Sequence, residues 1–150
     1  MYTMIVRATV RGVFAKINRG DYHAMVDGLA DEFTYVFHGE HALGGRRTTE
    51  DAMNRWWERT LRLLPGAQFT LLDVLVNGPP WRTRVATRAR VSGDLPDGTR
   101  YENTVFQFLT LRWGRVTDVE TVEDLQVLQH ALAVVAASGI DEALAEPIEG

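Results

Sequence analysis

The apolar residues of this chain change period part-way along, and that switch limits the fold more than any other feature. Up to Leu64 they recur mostly at helical spacing, and from Gln68 to Asp124 they mostly alternate. Val6, Val10, Val13, Phe14 and Ile17 predict an amphipathic helix over Thr3 to Asn18, which Asn18-Arg19-Gly20-Asp21 ends. A short second helix carries Tyr22, Met25, Val26 and Leu29 on one side. Phe33 to Phe37, rich in aromatic and β-branched residues, reads as a strand, and Gly39 to Gly45 as a loop. Thr48 with Asp51 has the form of a capping box. It opens a third helix with Met53, Trp56, Trp57, Leu61 and Leu64 inward, closed by Pro65-Gly66.

Four strands follow: Gln68 to Val76, Arg82 to Ser92, Tyr101 to Arg112 and Arg115 to Asp124. Asn77-Gly78-Pro79-Pro80, Pro96-Asp97-Gly98 and Trp113-Gly114 separate them as turns. Arg84, Arg88 and Arg90 share one face of their strand, and with Arg82 they read as an outer or dimer face, with anion binding as the alternative. A last helix runs from Leu125 to Ala137, with Asp124 placed to cap it. Helices first and antiparallel strands afterwards give an α+β class, with helices on one face of a curved sheet. A strongly twisted sheet closed by helices leaves a concave end that side chains need not fill. Residues 1–137 form this pocket domain, and 138–150 an acidic tail expected to be mobile.

Composition narrows the partners. The 150 residues contain no cysteine, so disulfides and thiolate metal sites are out. A net charge of −4 argues against nucleic acid. No apolar run approaches the ~20 residues of a bilayer span, and Met1 to Arg11 has neither an uninterrupted apolar core nor a small-residue cleavage site, so neither a membrane nor a secretory leader is expected and the cytoplasm is the default. His38-Gly39-Glu40-His41 lacks a converging third histidine, and no glycine-rich phosphate loop is present. No metal and no organic cofactor is therefore expected.

Several stretches resemble the SnoaL-like group of the nuclear transport factor 2-like superfamily. They are Asn18-Arg19-Gly20-Asp21; Phe37-His38-Gly39 leading to Leu43-Gly44-Gly45; Asp97-Gly98 followed by Tyr101-Glu102-Asn103; and Trp113-Gly114-Arg115-Val116 running to Glu123-Asp124. Their order matches from about Val6 to Leu132. The resemblance implies a cone-shaped α+β barrel of the cystatin-like kind: a curved antiparallel sheet, about three N-terminal helices and a C-terminal helix. It also implies a homodimer through the sheet. The superfamily holds steroid isomerases, polyketide cyclases, epoxide hydrolases, dehydratases and non-catalytic binding domains.

Carried over by position, the steroid-isomerase base falls on Phe37 and its tyrosine on Val13. The epoxide-hydrolase set falls on Tyr35-Val36-Phe37, Arg88-Ala89-Arg90 and Thr121, with both carboxylates and the amide missing. Cyclase-type chemistry needs only a general acid and base on an activated carbon. Glu123 and His38 are the candidate catalytic groups, with Tyr35 and Asn103 as donors to an enolate oxygen. The match places Tyr35 and Phe37 inward on their strand, Asn103, Val105 and Gln107 on the long strand, and Val119, Thr121 and Glu123 on the last one. Alternation turns His38 outward unless the chain bends at Gly39. Glu123 has an ion pair with an arginine as its structural alternative. Trp56 or its neighbour Trp57 supplies an aromatic wall. The expected ligand is a small, largely apolar molecule, taken up by a cofactor-independent isomerase, cyclase or lyase, or by a non-catalytic binding or dimeric accessory domain.

Overall fold

The structure, a computed structural model, describes every residue from Met1 to Gly150. Helices α1 (Tyr2–Asn18) and α2 (His23–Asp27) lead into strand β1 (Leu29–Phe37). A short strand β2 (Gly45–Arg47) precedes helix α3 (Glu50–Leu63). Strands β3 (Gln68–Asn77), β4 (Thr83–Asp94), β5 (Arg100–Arg112) and β6 (Arg115–Glu123) follow, then helix α4 (Leu125–Ala137) and a 3-10 turn at Asp141–Leu144. The α+β class is as expected. Leu29, assigned to the second helix on spacing, begins β1 instead, because α2 lasts only five residues. The third helix is capped one residue later than the sequence suggests. The Thr49 side chain accepts from the Ala52 amide at 3.2 Å, and Asp51 pairs with Arg55. Asp124 caps α4 as expected, accepting from the Gln126 amide at 3.1 Å.

The six strands form one sheet in the order β2-β1-β6-β5-β4-β3. Strands β3 to β6 make the antiparallel meander read from the alternation. The expectation of a wholly antiparallel sheet needs one correction: β1 joins β6 in parallel, so the sheet is mixed. A strand so far back in the chain must run alongside β6 to bring its inner face onto the same cone. Tyr35 then lies beside Val119, and Phe37 beside Thr121. Helix α3 buries Ala52, Met53, Trp56, Trp57 and Leu63 against the inner face of the sheet. Helix α1 packs along β3, where Asn18 closes the contact: its side chain donates to the Phe69 carbonyl at 2.8 Å and accepts from the Phe69 amide at 2.7 Å. No helix is long and apolar enough to cross a membrane.

The loop after β1 holds the feature that sequence reading missed. Arg47 is fully buried. Its guanidinium donates to the carbonyls of Gly44 and Ile148 at 2.8 Å each, and to Gly45 at 3.3 Å. It also lies over the Tyr35 and Trp56 rings, at 5.5 and 5.2 Å from their centroids. Burial lowers its pKa to about 10, which still leaves it cationic at neutral pH. The Ile148 bond explains why the tail, expected to be mobile, is docked. Glu142 adds a second anchor, accepting from Arg62 through both oxygens at 2.8 Å and from Arg59 at 3.1 Å. These bonds, Arg62 foremost, pull its pKa down to about 2.

Replacing Arg47 strips one buried and two part-buried carbonyls of their donor, and an unpaired buried group costs about 1–3 kcal/mol. Arg47→Met is expected to lose at least ~2 kcal/mol in urea unfolding. A loss below ~0.5 kcal/mol, the scale of an ordinary surface change, would show that the anchor is dispensable.

Candidate active site

Inside the cone lies a cavity of about 180 Å³, far larger than the ~10–15 Å³ that one water needs. Of its 30 lining residues 23 are hydrophobic, which suits an apolar occupant. Val13 and Phe14 of α1, Trp56 and Trp57 of α3, and the inner faces of β1, β4, β5 and β6 enclose it. The polar groups that the sheet contributes fall into two sets.

The first set is built on Glu123. The Tyr101 hydroxyl donates to Glu123 Oε1 in a short hydrogen bond. Asn103 Nδ2 donates in turn to the Tyr101 oxygen at 3.1 Å and to the Asp124 carbonyl at 3.0 Å. No hydrogen bond within 3.5 Å reaches Glu123 Oε2, and the residue lines the cavity. Burial raises the Glu123 pKa to about 7, with Tyr101 and Asn103 pulling part of the way back. Tyr101 moves well above the ordinary phenol range, first by burial and then by the adjacent carboxylate. Near neutral pH the carboxyl therefore exchanges a proton readily while the phenol keeps its own.

The second set is Tyr35, Thr121 and Gln107. Gln107 Nε2 donates to Thr121 Oγ1 at 3.0 Å. The Tyr35 hydroxyl faces the same two side chains from a fully buried ring, and burial raises its pKa while Thr121 and Arg47 pull it down. The pairings Gln107–Thr121 and Val105–Glu123 put the two sets two residues apart along β5 and β6, on the same face. Tyr35 is thus a neutral donor within electrostatic reach of an ionisable carboxyl, with apolar walls around both.

Residues 10–119 match the family model of the SnoaL-like domain, well over half of the chain. The chain belongs to the SnoaL-like family. Its structure agrees with others of the nuclear transport factor 2-like fold. The candidate polyketide cyclase IdmH from Streptomyces antibioticus is similar at 21% identity, with a TM-score of 0.69 over 85% of this chain and 97% of that one. PrhC from Penicillium brasilianum NBRC 6234 is similar at 18% identity and TM-score 0.74, over 91% and 89%. TerC, crystallised with polyporic acid, is similar at 16% identity and TM-score 0.70, over 83% and 95%. At these identities the likeness concerns the fold. No curated protein sequence matches the chain.

Within this SnoaL-like cone, Tyr35, Phe37, Val105, Gln107, Val119, Thr121 and Glu123 line the cavity as strand alternation requires, and Trp56 lines it from α3. Phe37 and Val13, at the positions of the steroid-isomerase groups, are apolar wall. Both tryptophans face the cavity, so the choice between them dissolves; Trp56 is further fixed by its indole N–H on the Leu43 carbonyl at 2.8 Å. Two expectations need correction. Asn103 does not face a ligand: both amide hydrogens are engaged, and its oxygen accepts from the Thr104 amide at 2.8 Å. It positions Tyr101 instead. His38 lies on the outer face of the sheet, half exposed and 2.6 Å from Glu120, because strand alternation persists to the end of β1. It cannot share a substrate with Glu123. His41 is buried, with Nδ1 accepting from the Leu43 amide and Nε2 facing the His38 carbonyl at 2.9 Å. Burial lowers its pKa, so it stays neutral and shapes the loop. The missed residue is Tyr101. Its place two residues before Asn103 on an inward-facing run was the available signal.

The raised Glu123 pKa has a signed consequence for stability. Between the ordinary carboxyl pKa and about 7, the folded chain holds a proton that the unfolded chain releases, so stability falls as pH rises through that window. Glu123→Gln removes the ionisation. Its melting temperature is expected to rise relative to wild type at pH 8 and to gain less at pH 5. Equal differences at both pH values would show that Glu123 ionises as an exposed carboxylate does.

Proposed function

We propose that the cone binds a small, largely apolar carbonyl compound and that Glu123 removes a proton from the carbon next to its carbonyl. The observation that carries this reading is a carboxyl in an apolar cavity with one oxygen fixed by Tyr101 and the other free. A base with a pKa near the operating pH is suited to proton transfer from carbon. The carbon–hydrogen bond breaks, its electron pair moves onto the carbonyl oxygen, and the proton goes to Glu123 Oε2. The Tyr35 hydroxyl, held beside Thr121 and Gln107, donates to the oxygen on which charge develops. Returning the proton to a different carbon gives isomerisation. Attack of the enolate carbon on a second carbonyl of the same molecule gives ring closure, the proton passing to the new alkoxide. Every step uses this chain's own residues and calls on no metal or cofactor.

A non-catalytic ligand-binding domain is the second reading. It is favoured by Phe37 and Val13, which are apolar where steroid isomerases carry their catalytic groups. The two readings separate on one variant. With a substrate found by screening enolisable polycyclic ketones, Glu123→Gln should abolish turnover while ligand still binds. Tyr35→Phe should lower kcat by about 10²–10³, the cost of one oxyanion donor. Tyr101→Phe should raise the pKa read from the pH–rate profile, because the hydrogen bond that favours the charged carboxylate is lost. Bound ligand with no turnover by wild type across the screen would favour the second reading.

Association through the outer sheet face belongs to the same proposal. Phe106, Phe108 and Val122 stand exposed there at 51, 47 and 43%, beside Arg84 and Arg88. Sedimentation at micromolar concentration is expected to give a dimer, and Phe108→Glu a monomer. A monomeric wild type would remove the dimer from the proposal.

A further inference from the structure

The charge of this acidic chain is unevenly distributed. Residues 1–20 hold four cations and no carboxylate, whereas the whole chain carries −4. Helix α1 is therefore basic, and it is also amphipathic: Val6, Val10, Val13 and Phe14 turn inward, while Met1, Met4 and Ile5 stand exposed at 93, 67 and 57%. Three large apolar side chains at one helix end have no partner in the fold.

The same end of the molecule carries two exposed tryptophans. Trp81 precedes β4 and Trp113 ends β5, and their rings lie 6.1 Å apart. The Trp113 amide donates to the Pro80 carbonyl at 2.8 Å, which ties the two turns together. The start of α1 is tied to them as well, through a 2.5 Å hydrogen bond between the Tyr2 hydroxyl and Thr83 Oγ1. Val6 packs with Val74, Val85 and Leu111 beneath. Trp113 has a positive φ of 50°, a conformation that Asn or Gly adopts far more easily than a bulky residue. The turn thus holds a large apolar ring outward at a cost in backbone strain. Arg82 and Arg112 flank the tryptophans, and no carboxylate occurs between Val74 and Gly93 or between Asn103 and Thr117. Neither Arg82 nor Arg112 belongs to any of the chain's ion pairs.

We propose that this end, made of the start of α1 and the Trp81–Trp113 turns, docks on an anionic lipid surface. Tryptophan at the headgroup level and cations facing acidic lipids are the two forces that hold a peripheral protein there. The apolar groups sit on a helix end and two turn tips, which enter a soft interface more readily than they complement a flat protein surface. The opposite side of the same helix is a wall of the cavity. The absence of a membrane-spanning helix bears on crossing a bilayer and not on lying against one. This inference stands apart from the chemistry at Glu123, and its test requires no turnover.

The test is binding of the full chain to vesicles of phosphatidylcholine mixed with phosphatidylglycerol, against phosphatidylcholine alone, by flotation and by tryptophan emission. Trp56 and Trp57 are buried, so a shift in emission on binding reports Trp81 and Trp113. Binding is expected only to the anionic vesicles, with a blue shift, and is expected to weaken as salt is added. Arg82→Gln and Arg112→Gln should each lower the partition coefficient about fivefold. Trp113→Asn combined with Trp81→Ser should abolish binding while the melting temperature is kept, since Asn tolerates the left-handed turn. Failure of wild type to bind anionic vesicles would overturn the proposal, as would equal binding to neutral ones. A dimer that the paired tryptophan variant converts to monomer would assign the surface to a second copy and overturn it equally.

Discussion

The parallel pairing of β1 with β6 is the contact on which the rest of the structure depends. Without it the chain would be an antiparallel meander of four strands and a separate hairpin of β1 with β2, and neither would enclose a cavity. With it, Tyr35 and Phe37 join Val119 and Thr121 on one concave wall. The pairing brings together strands some eighty residues apart, and the loop closed in forming it must be repaid by the burial that follows. Trp56 and Trp57 supply much of that burial, by packing α3 into the cone against both strands.

Arg47 holds the wall in place from behind. A buried cation is costly unless its donors are satisfied, and here carbonyls from two segments engage both terminal nitrogens while two aromatic faces accept the charge, Nε alone lacking a partner. The same group lies under Tyr35, so one side chain fixes the tail, supports a pocket wall and biases the acidity of a pocket hydroxyl. Structural and chemical roles meet in one residue because the outer shell of the cone is also the back of its site.

The chemistry of the cavity follows from desolvation more than from charge. Glu123 has no cation beside it, and its pKa climbs because apolar walls replace water. Tyr101 and Asn103 return part of that cost as hydrogen bonds, and they also leave one carboxylate oxygen free. Phe37 is apolar wall, so Glu123 on the last strand is the one carboxyl that lines this cavity.

Local pattern was enough for much of this. Period two and period 3.6 fix which side of each element faces the core, so the inward set on β5 and β6, the outward His38 and the Asp124 cap were all legible from Val105, Gln107, Val119, Thr121 and Glu123 onward. What alternation leaves open is distance and partner. It places Asn103 inward but not its saturation by Tyr101 and Asp124, and it marks Arg47 as one arginine among many. The parallel direction of β1, the docking of the tail on Arg47 and the capture of Glu123 by Tyr101 are contacts between segments far apart in the chain. Side-chain period is a property of one strand and is set by the sequence alone. Which strand lies alongside another, and which buried donor finds which acceptor, is decided only when the whole chain has closed around its cavity.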